Sequence, residues 1–329
     1  MRRIGLRGPR TRFHEPPYIR HAVPAIPLLL TNDDGVQSPG LIGLARFLHA
    51  RGHPLLVMAP KSEQSASAMK LTLRDGMVFQ EHTDIASEIT IDERTPLRVF
   101  SLDGSPCDCV IVAMDGGLEK LAPGISPALC VSGINRGPNL SVDVLHSGTV
   151  SAAREASLYG MPSLAVSLAT TRHQNYSESF SATGTVIDSI SPFLSAIPPD
   201  LGRPEGVKPV PEGLSKESLR QWFQQGNIFL NLNVPGDWGG GFRTVQLGAR
   251  WYRNASTLIP SEDRGVTFEI GAASIHDEDI PGTDCAAIGN GFASLTPLGS
   301  WPSNHPLGAP CEIIEAATEQ GEYGLPSWL

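Results

Sequence analysis

Little in this chain is charged: Asp, Glu, Lys and Arg make up 18% of its 329 residues, and their balance is acidic, at −9. No compensating basic stripe appears, which speaks against a nucleic-acid polymer as the main partner. A small phosphorylated ligand stays compatible with that balance, because a local metal ion or a helix terminus attracts it despite an acidic surface. Long apolar runs are also missing, and none approaches the ~20 residues a membrane-spanning helix needs. The five cysteines are an odd number that cannot all pair. Cys107 and Cys109 stand too close for a zinc pair of familiar spacing. Buried, reduced thiols in a cytoplasmic protein account for them most simply. Three catalytic signatures are absent as well. No Gly-x-Gly-x-x-Gly follows the first strand pattern, which speaks against a dinucleotide dehydrogenase, and there is neither an Asp-x-Asp pair for aspartyl-phosphate formation nor a nucleophile-elbow serine.

What is present is alternation. Apolar runs that read as strands occur at Ile26–Thr31, Pro54–Met58, Ala128–Ser132, Ser163–Leu168 and Ile228–Leu232. Helical spacing fills the gaps at Pro39–Arg51, Pro106–Met114, Thr149–Tyr159 and about Ala182–Ala196. Ser38 is placed to cap the first helix, with Pro39 at its first position. Ser105 to Asp108 has the form of a capping box, and Gly52 and Gly160 stand where left-handed residues stop helices. The pattern predicts an α/β fold with a doubly wound, mostly parallel sheet in a three-layer, Rossmann-like arrangement. Two regions break it. Short runs at Glu88–Asp92 and Leu97–Leu102 suggest a hairpin added beside the sheet. Past Gly239, strand signals at Thr244–Leu247, Val266–Ile270 and Phe292–Thr296 lack helices between them, which predicts a C-terminal antiparallel appendage. The expected organisation is an Arg-rich, disordered leader over 1–24, a main domain over 25–300 with a Pro-rich insertion near 198–214, and a C-terminal tail over 301–329. The unpartnered apolar residues of the appendage point to a homodimer or homotetramer.

Three segments carry chemistry. Thr31-Asn32-Asp33-Asp34-Gly35 follows the first strand and precedes the first helix, where the carboxyl end of a parallel strand opens to ligand. Two adjacent carboxylates in an exposed turn can converge on one hard cation, or can simply favour the turn. Val131 to Asn139 again follows an apolar strand, and its Asn side chains offer oxygens to a metal or amide donors to a phosphate, the plain alternative being an ordinary Gly/Pro/Asn loop. Ser147-Gly148-Thr149 opens a helix whose first N–H groups suit an anion, the plain alternative being an N-cap. The loop Ala59 to Ser67 adds hydroxyls at the same sheet edge, and composition does not separate Ser65 from Ser62 or Ser67. Asn139-Leu140-Ser141 is a glycosylation sequon, but a sugar there would obstruct this edge, in keeping with the cytoplasm.

Five ordered motifs then carry a specific resemblance. Leu30–Gly40, Ala59–Pro60 with Gln64–Ala66, Gly104–Val110, Ser132–Asn139 and Ser147–Ala156 resemble the successive motifs of the SurE survival-protein family, and Asp284–Ala287 with Gly291–Leu298 resembles its closing segment. The resemblance spans about Ile26 to Leu298. It implies a metal-dependent nucleotidase or acid phosphatase, with Asp33, Asp34, Ser65 and Asn135 as metal ligands. It further implies phosphate contact from Asn139, Ser147, Gly148 and Thr149. Ala66 stands where bacterial members usually have Gly, and His146 where they usually have Tyr; neither change removes a ligand.

The expected activity is hydrolysis of nucleoside 5′- or 3′-monophosphates, with Mg²⁺ or Mn²⁺ as cofactor and Asp33 or Asp34 in the proton work. The alternatives are a broad acid phosphatase or exopolyphosphatase, and a non-catalytic phosphate- or nucleotide-binding protein. Ser62–Met69 and Leu140–His146 are the candidate base-binding segments.

Overall fold

The computed structural model describes residues 23–115, 118–170, 175–194, 210–261, 265–271 and 274–329. In chain order the elements are β1 (Leu28–Thr31), α1 (Pro39–Ala50), β2 (Leu55–Pro60), β3 (Phe79–Glu81), α2 (Thr83–Ile89), β4 (Leu97–Leu102), α3 (Pro106–Asp115), α4 (Leu118–Leu121), β5 (Leu129–Arg136), α5 (Asp143–His146), α6 (Gly148–Leu158), β6 (Ser163–Leu168), α7 (Ser177–Ile190) and α8 (Lys216–Gln224). Then come β7 (Ile228–Val234), β8 (Phe242–Thr244), β9 (Arg250–Arg253), β10 (Ser256–Ser261), β11 (Gly265–Ile270), β12 (Ser274–Asp277), α9 (Asp284–Gly289), β13 (Ala293–Gly299) and α10 (Cys311–Ala317).

One sheet runs β3-β4-β2-β1-β5-β6-β7-β13-β8. Its six central strands, from β4 to β7, are mutually parallel. The strand alternation explains the layers. Leu28, Leu30, Leu55 and Val57 face the core built with α1 and α7, while Leu29, Leu56 and Met58 face the core built with α3 and α6. The chain winds outward from β1 through β2 to β4, then returns to β5 on the other side of β1. The β1/β5 junction is therefore the topological switch point, where ligands enter at the carboxyl ends of the strands.

Several expectations are corrected. Glu88–Asp92 is not a strand: Thr83–Ile89 is helix α2, which buries Ile85 and Ile89. Leu97–Leu102 is no added hairpin but a parallel strand paired with β2, and only β3 is antiparallel to it. Phe292–Thr296 does not belong to an appendage either. Strand β13 lies antiparallel to β7 inside the main sheet, with β8 beyond it, and helix α9 precedes it. The appendage consists of two antiparallel pairs, β9 with β12 and β10 with β11. Residues 301–329 do not trail as a tail: Ile313, Ala317, Leu325 and Trp328 are buried in the larger core. Residues 1–22 of the expected leader and 198–209 of the expected insertion lie outside the described residues.

Candidate functional site

At the end of β1 the sequence has no more apolar residues to bury, and Asn32 begins a tight turn. Its amide donates to Gly35 O at 3.1 Å and to Ser38 Oγ at 2.7 Å. Ser38 stands at the N-cap of α1 as expected, with Pro39 next, but its side chain holds the turn and makes no cap bond to the helix. The turn delivers Asp33 to the start of α6 and Asp34 to the end of β5.

Asp33 is buried, contrary to the exposed turn expected for it. Its Oδ1 accepts from Thr149 Oγ1 at 2.6 Å and its Oδ2 from Thr149 N at 3.0 Å. The start of α6 thus grips a carboxylate of the chain itself, which suits the positive end of a helix. Ser147 Oγ accepts from Val150 N at 3.0 Å, the plain N-cap weighed as the alternative to anion binding. Gly148 is required by close approach: a Cβ there would lie 2.8 Å from Asp33 Cβ and 2.6 Å from Ser67 Oγ. Burial raises the Asp33 pKa, partly offset by the Thr149 bonds.

Asp34 is half-buried. Its Oδ2 accepts from Arg136 N at 3.1 Å, tying the end of β1 to the end of β5. Burial and the neighbouring Asp33 charge push its pKa up to about 6. Beside it opens a cleft of about 410 Å³ lined by Asp34, Gly35, Gln37, Lys61, Glu63, Arg136 and Tyr176 among others.

Asn135 reaches the same edge because β5 carries a bulge. Ser132 pairs with Ala165 and Asn135 with Ser167, so β5 takes an extra residue there. Gly133 makes this possible, since a Cβ on it would lie 2.4 Å from Val166 O. The Asn135 amide nitrogen donates to Gly137 O at 2.9 Å, leaving Oδ1 as the free end. Asn139 is held from both sides. Its N–H donates to Asn233 Oδ1 at 2.7 Å, its carbonyl accepts from Asn231 and Asn233, and its side-chain amide donates to Ser167 Oγ at 2.8 Å.

Ser65 is the least integrated of the expected ligands. It is exposed, and its hydroxyl donates to Glu63 Oε1 at 2.8 Å. Its loop is nonetheless fastened to the site, through Gln64 N to Asp33 O at 2.7 Å and Ala68 N to His146 O at 3.0 Å. His146 and Leu145 are exposed beside it.

Sequence reasoning missed several contributors. Asn231 and Asn233 stand two apart in an otherwise apolar, fully buried strand, and that anomaly was a readable signal. Lys61, Arg136 and Tyr176 gave none, because only the fold brings them together.

Oxygen donors dominate this edge: two carboxylates, the free Asn135 Oδ1 and several hydroxyls. Asn32 Oδ1 and Ser67 Oγ are buried there without a hydrogen-bond partner. Among the described residues no group of three or more His, Cys, Asp or Glu side chains that could hold a metal ion is gathered, so the donors here are two carboxylates with amide and hydroxyl oxygens. Such a donor set fits a hard divalent cation.

A doubly wound sheet with an acidic pair and a helix start at its switch point belongs to the α/β proteins that bind ligands at the carboxyl ends of their strands. Within that class the family is shown. The sequence model described as Survival protein SurE matches residues 28–255, and the chain belongs to the SurE family. It is 35% identical over 274 residues to the 5′-nucleotidase SurE of Syntrophotalea carbinolica, covering 82% of this chain and 90% of that one. To the 5′-nucleotidase SurE of Geotalea uraniireducens it is 36% identical, covering 82% and 92%. The crystal structure of the SurE protein from Aquifex aeolicus shares its fold with a TM-score of 0.58 and 26% identity, covering 84% of this chain and 94% of that one.

Proposed function

We propose that this protein is a metal-dependent phosphomonoesterase that hydrolyses nucleoside monophosphates, the 5′-esters foremost. Its relatives named 5′-nucleotidase SurE support the activity. The observation that carries the site is Asp33 clamped by Thr149 at the switch point, with Asp34 beside it and bonded to the end of β5. Asp33, Asp34, Asn135 and Ser65 would hold Mg²⁺ or Mn²⁺. The bound cation supplies charge neutralisation for the phosphate and activation of a water.

The chain's own groups do the rest. Thr149 orients Asp33, and Asp34 is the half-buried carboxylate with an oxygen left to accept a proton from water. Ser147 and Asn139 line the phosphate side, and Gly148 keeps that side clear of a side chain. The cleft at Lys61, Arg136 and Tyr176 offers cations and a ring beside the acidic pair, where a charged ester and its leaving group could lie.

Main domain 25–300 is proposed as the catalytic unit, with residues 301–329 packed on its core. The exposed apolar side chains of β10 and β11, Phe268 at 67% and Ile270 at 85%, support a homodimer or homotetramer. All five cysteines are unpaired, which supports the cytoplasm. Among the described residues no helix is long and apolar enough to cross a membrane.

The test is a substrate panel with Mn²⁺: nucleoside 5′- and 3′-monophosphates, glycerol phosphate, a phosphodiester and polyphosphate. Higher specificity constants for the nucleoside monophosphates, with the diester nearly inert, are expected. Should glycerol phosphate or polyphosphate be preferred by a wide margin, the nucleotidase reading falls and the broader phosphatase reading takes its place.

A further inference from the structure

The root of the β9–β12 ribbon is joined to the candidate site through a buried ion pair between Arg250, which no expectation named, and Asp143, which was named only within the Leu140–His146 segment. Arg250, the first residue of β9, donates from Nη1 to Asp143 Oδ2 at 2.8 Å. It also grips Asp277 with two bonds, at 2.7 and 2.8 Å. The side chains of Arg250 and Asp143 are 6% and 8% exposed. Tyr252 donates its hydroxyl to the other oxygen of Asp143. The backbone repeats the attachment: Arg250 N donates to Ser141 Oγ at 3.0 Å, and that hydroxyl donates to Gly248 O at 2.8 Å.

Asp143 in turn shapes the approach to α6. Its carboxylate accepts from Leu140 N at 3.1 Å, closing the turn after Asn139. Its carbonyl accepts from Ser147 N at 2.9 Å, which sets the residue that caps α6. Two residues later, Thr149 fixes Asp33 through both of its donors.

We infer that Arg250 is a positioning residue: by holding Asp143 it places the start of α6 and, through Thr149, the Asp33 carboxylate. A buried ion pair adds little net stability over an apolar replacement of similar volume, because desolvating two charges offsets their attraction. Its use is geometric. The forked guanidinium meets one carboxylate from the ribbon and one from the α5 turn, and a single ammonium cannot bridge both in that way. Groups that orient a metal-ligating carboxylate typically matter by about 10- to 100-fold in metal affinity or activity.

The inference rests on the proposed function for its activity readout alone; a second readout is Mn²⁺ binding to the metal-free full chain by calorimetry. In Arg250→Met, which acts on Asp33 only through Asp143 and Thr149, the Mn²⁺ Kd should rise several-fold, up to about 10-fold, and kcat should fall about 10-fold with KM changed less than about threefold. Arg250→Lys should recover part of both. Tyr252→Phe and Asp277→Asn, which each loosen the clamp without removing the buried cation, should lower kcat several-fold with the thermal midpoint kept. Unchanged Mn²⁺ affinity and kcat in folded Arg250→Met overturns the inference; if that variant does not fold, unchanged values in both Tyr252→Phe and Asp277→Asn do so. Weakened Mn²⁺ binding by the variants of a chain that hydrolyses no phosphomonoester would sink the proposed function and leave this inference standing.

Discussion

The central sheet and the β9–β12 ribbon solve the same problem in opposite ways. Every residue of β1, β2, β6 and β7 is buried, sandwiched by helices on both faces. The ribbon leaves Leu258, Val266, Phe268 and Ile270 between 52% and 85% exposed, with no layer among the described residues above them. Yet the ribbon's root is bonded to the body through Arg250, which donates to Asp143 as well as to Asp277 within the ribbon, and through Tyr252, which donates to Asp143. A hydrogen-bonded root and exposed apolar surface farther along suit the proposed docking arm, whereas burial on both faces suits a strand-end site. The contrast can be pressed experimentally, starting where the effect is largest.

Asp34→Asn should reduce phosphate release by about 1,000-fold with little change in thermal midpoint, because the half-buried Asp34 makes one backbone bond that Asn can keep. Asp33→Asn is the less clean variant. Its amide would face one of the two Thr149 donors, so it should cost stability as well, measurable as a lower midpoint. Trp328→Ala should destabilise the domain by about 3–5 kcal/mol, as deletion of a fully buried aromatic does. The matching ribbon change, Phe268→Ala, should stay within about 0.5 kcal/mol for the isolated chain, both read from denaturant midpoints. A comparable loss from Phe268→Ala would mean the ribbon folds onto the body after all.

Gly148→Val should lower activity about 100-fold by pushing Asp33 and Ser67 apart. Thr149→Val, which loses the bond to Asp33 Oδ1 but keeps the N–H bond to Oδ2, should cost about 10-fold or less. Equal, mild effects from the two would reduce this helix start to a structural cap. Smallest of all, Ile270→Asp should alter the sedimentation coefficient while changing turnover less than about threefold. An unaltered chain that is already monomeric at micromolar concentration removes the docking role of the ribbon.

The central fold was legible because its signals are local. Strand β1, helix α3 with its reciprocal Ser105–Asp108 bonds at 2.8 and 3.1 Å, and the Ser147 cap all follow from short-range spacing. What escaped was long-range. Strand β13 reads like its neighbours β10 and β11 in sequence, and only its pairing with β7 makes it part of the main sheet. Helix α2 was hidden because Ile89 and Ile91 mimic strand alternation. The burial of Asp33 could not be seen, since its partner Thr149 lies 116 residues away. The Arg250–Asp143 pair is separated by 107 residues and was invisible for the same reason.

The central claim is that the acidic pair at the switch point hydrolyses phosphomonoesters with a bound divalent cation. The direct measurement is phosphate release from a nucleoside 5′-monophosphate by the purified full chain, with Mn²⁺, after chelation, and after Mn²⁺ is restored. Turnover that disappears on chelation, returns with Mn²⁺ and is lost in Asp34→Asn is expected. Turnover that persists in chelator, or that Asp34→Asn retains with excess Mn²⁺, would contradict the assignment of this site.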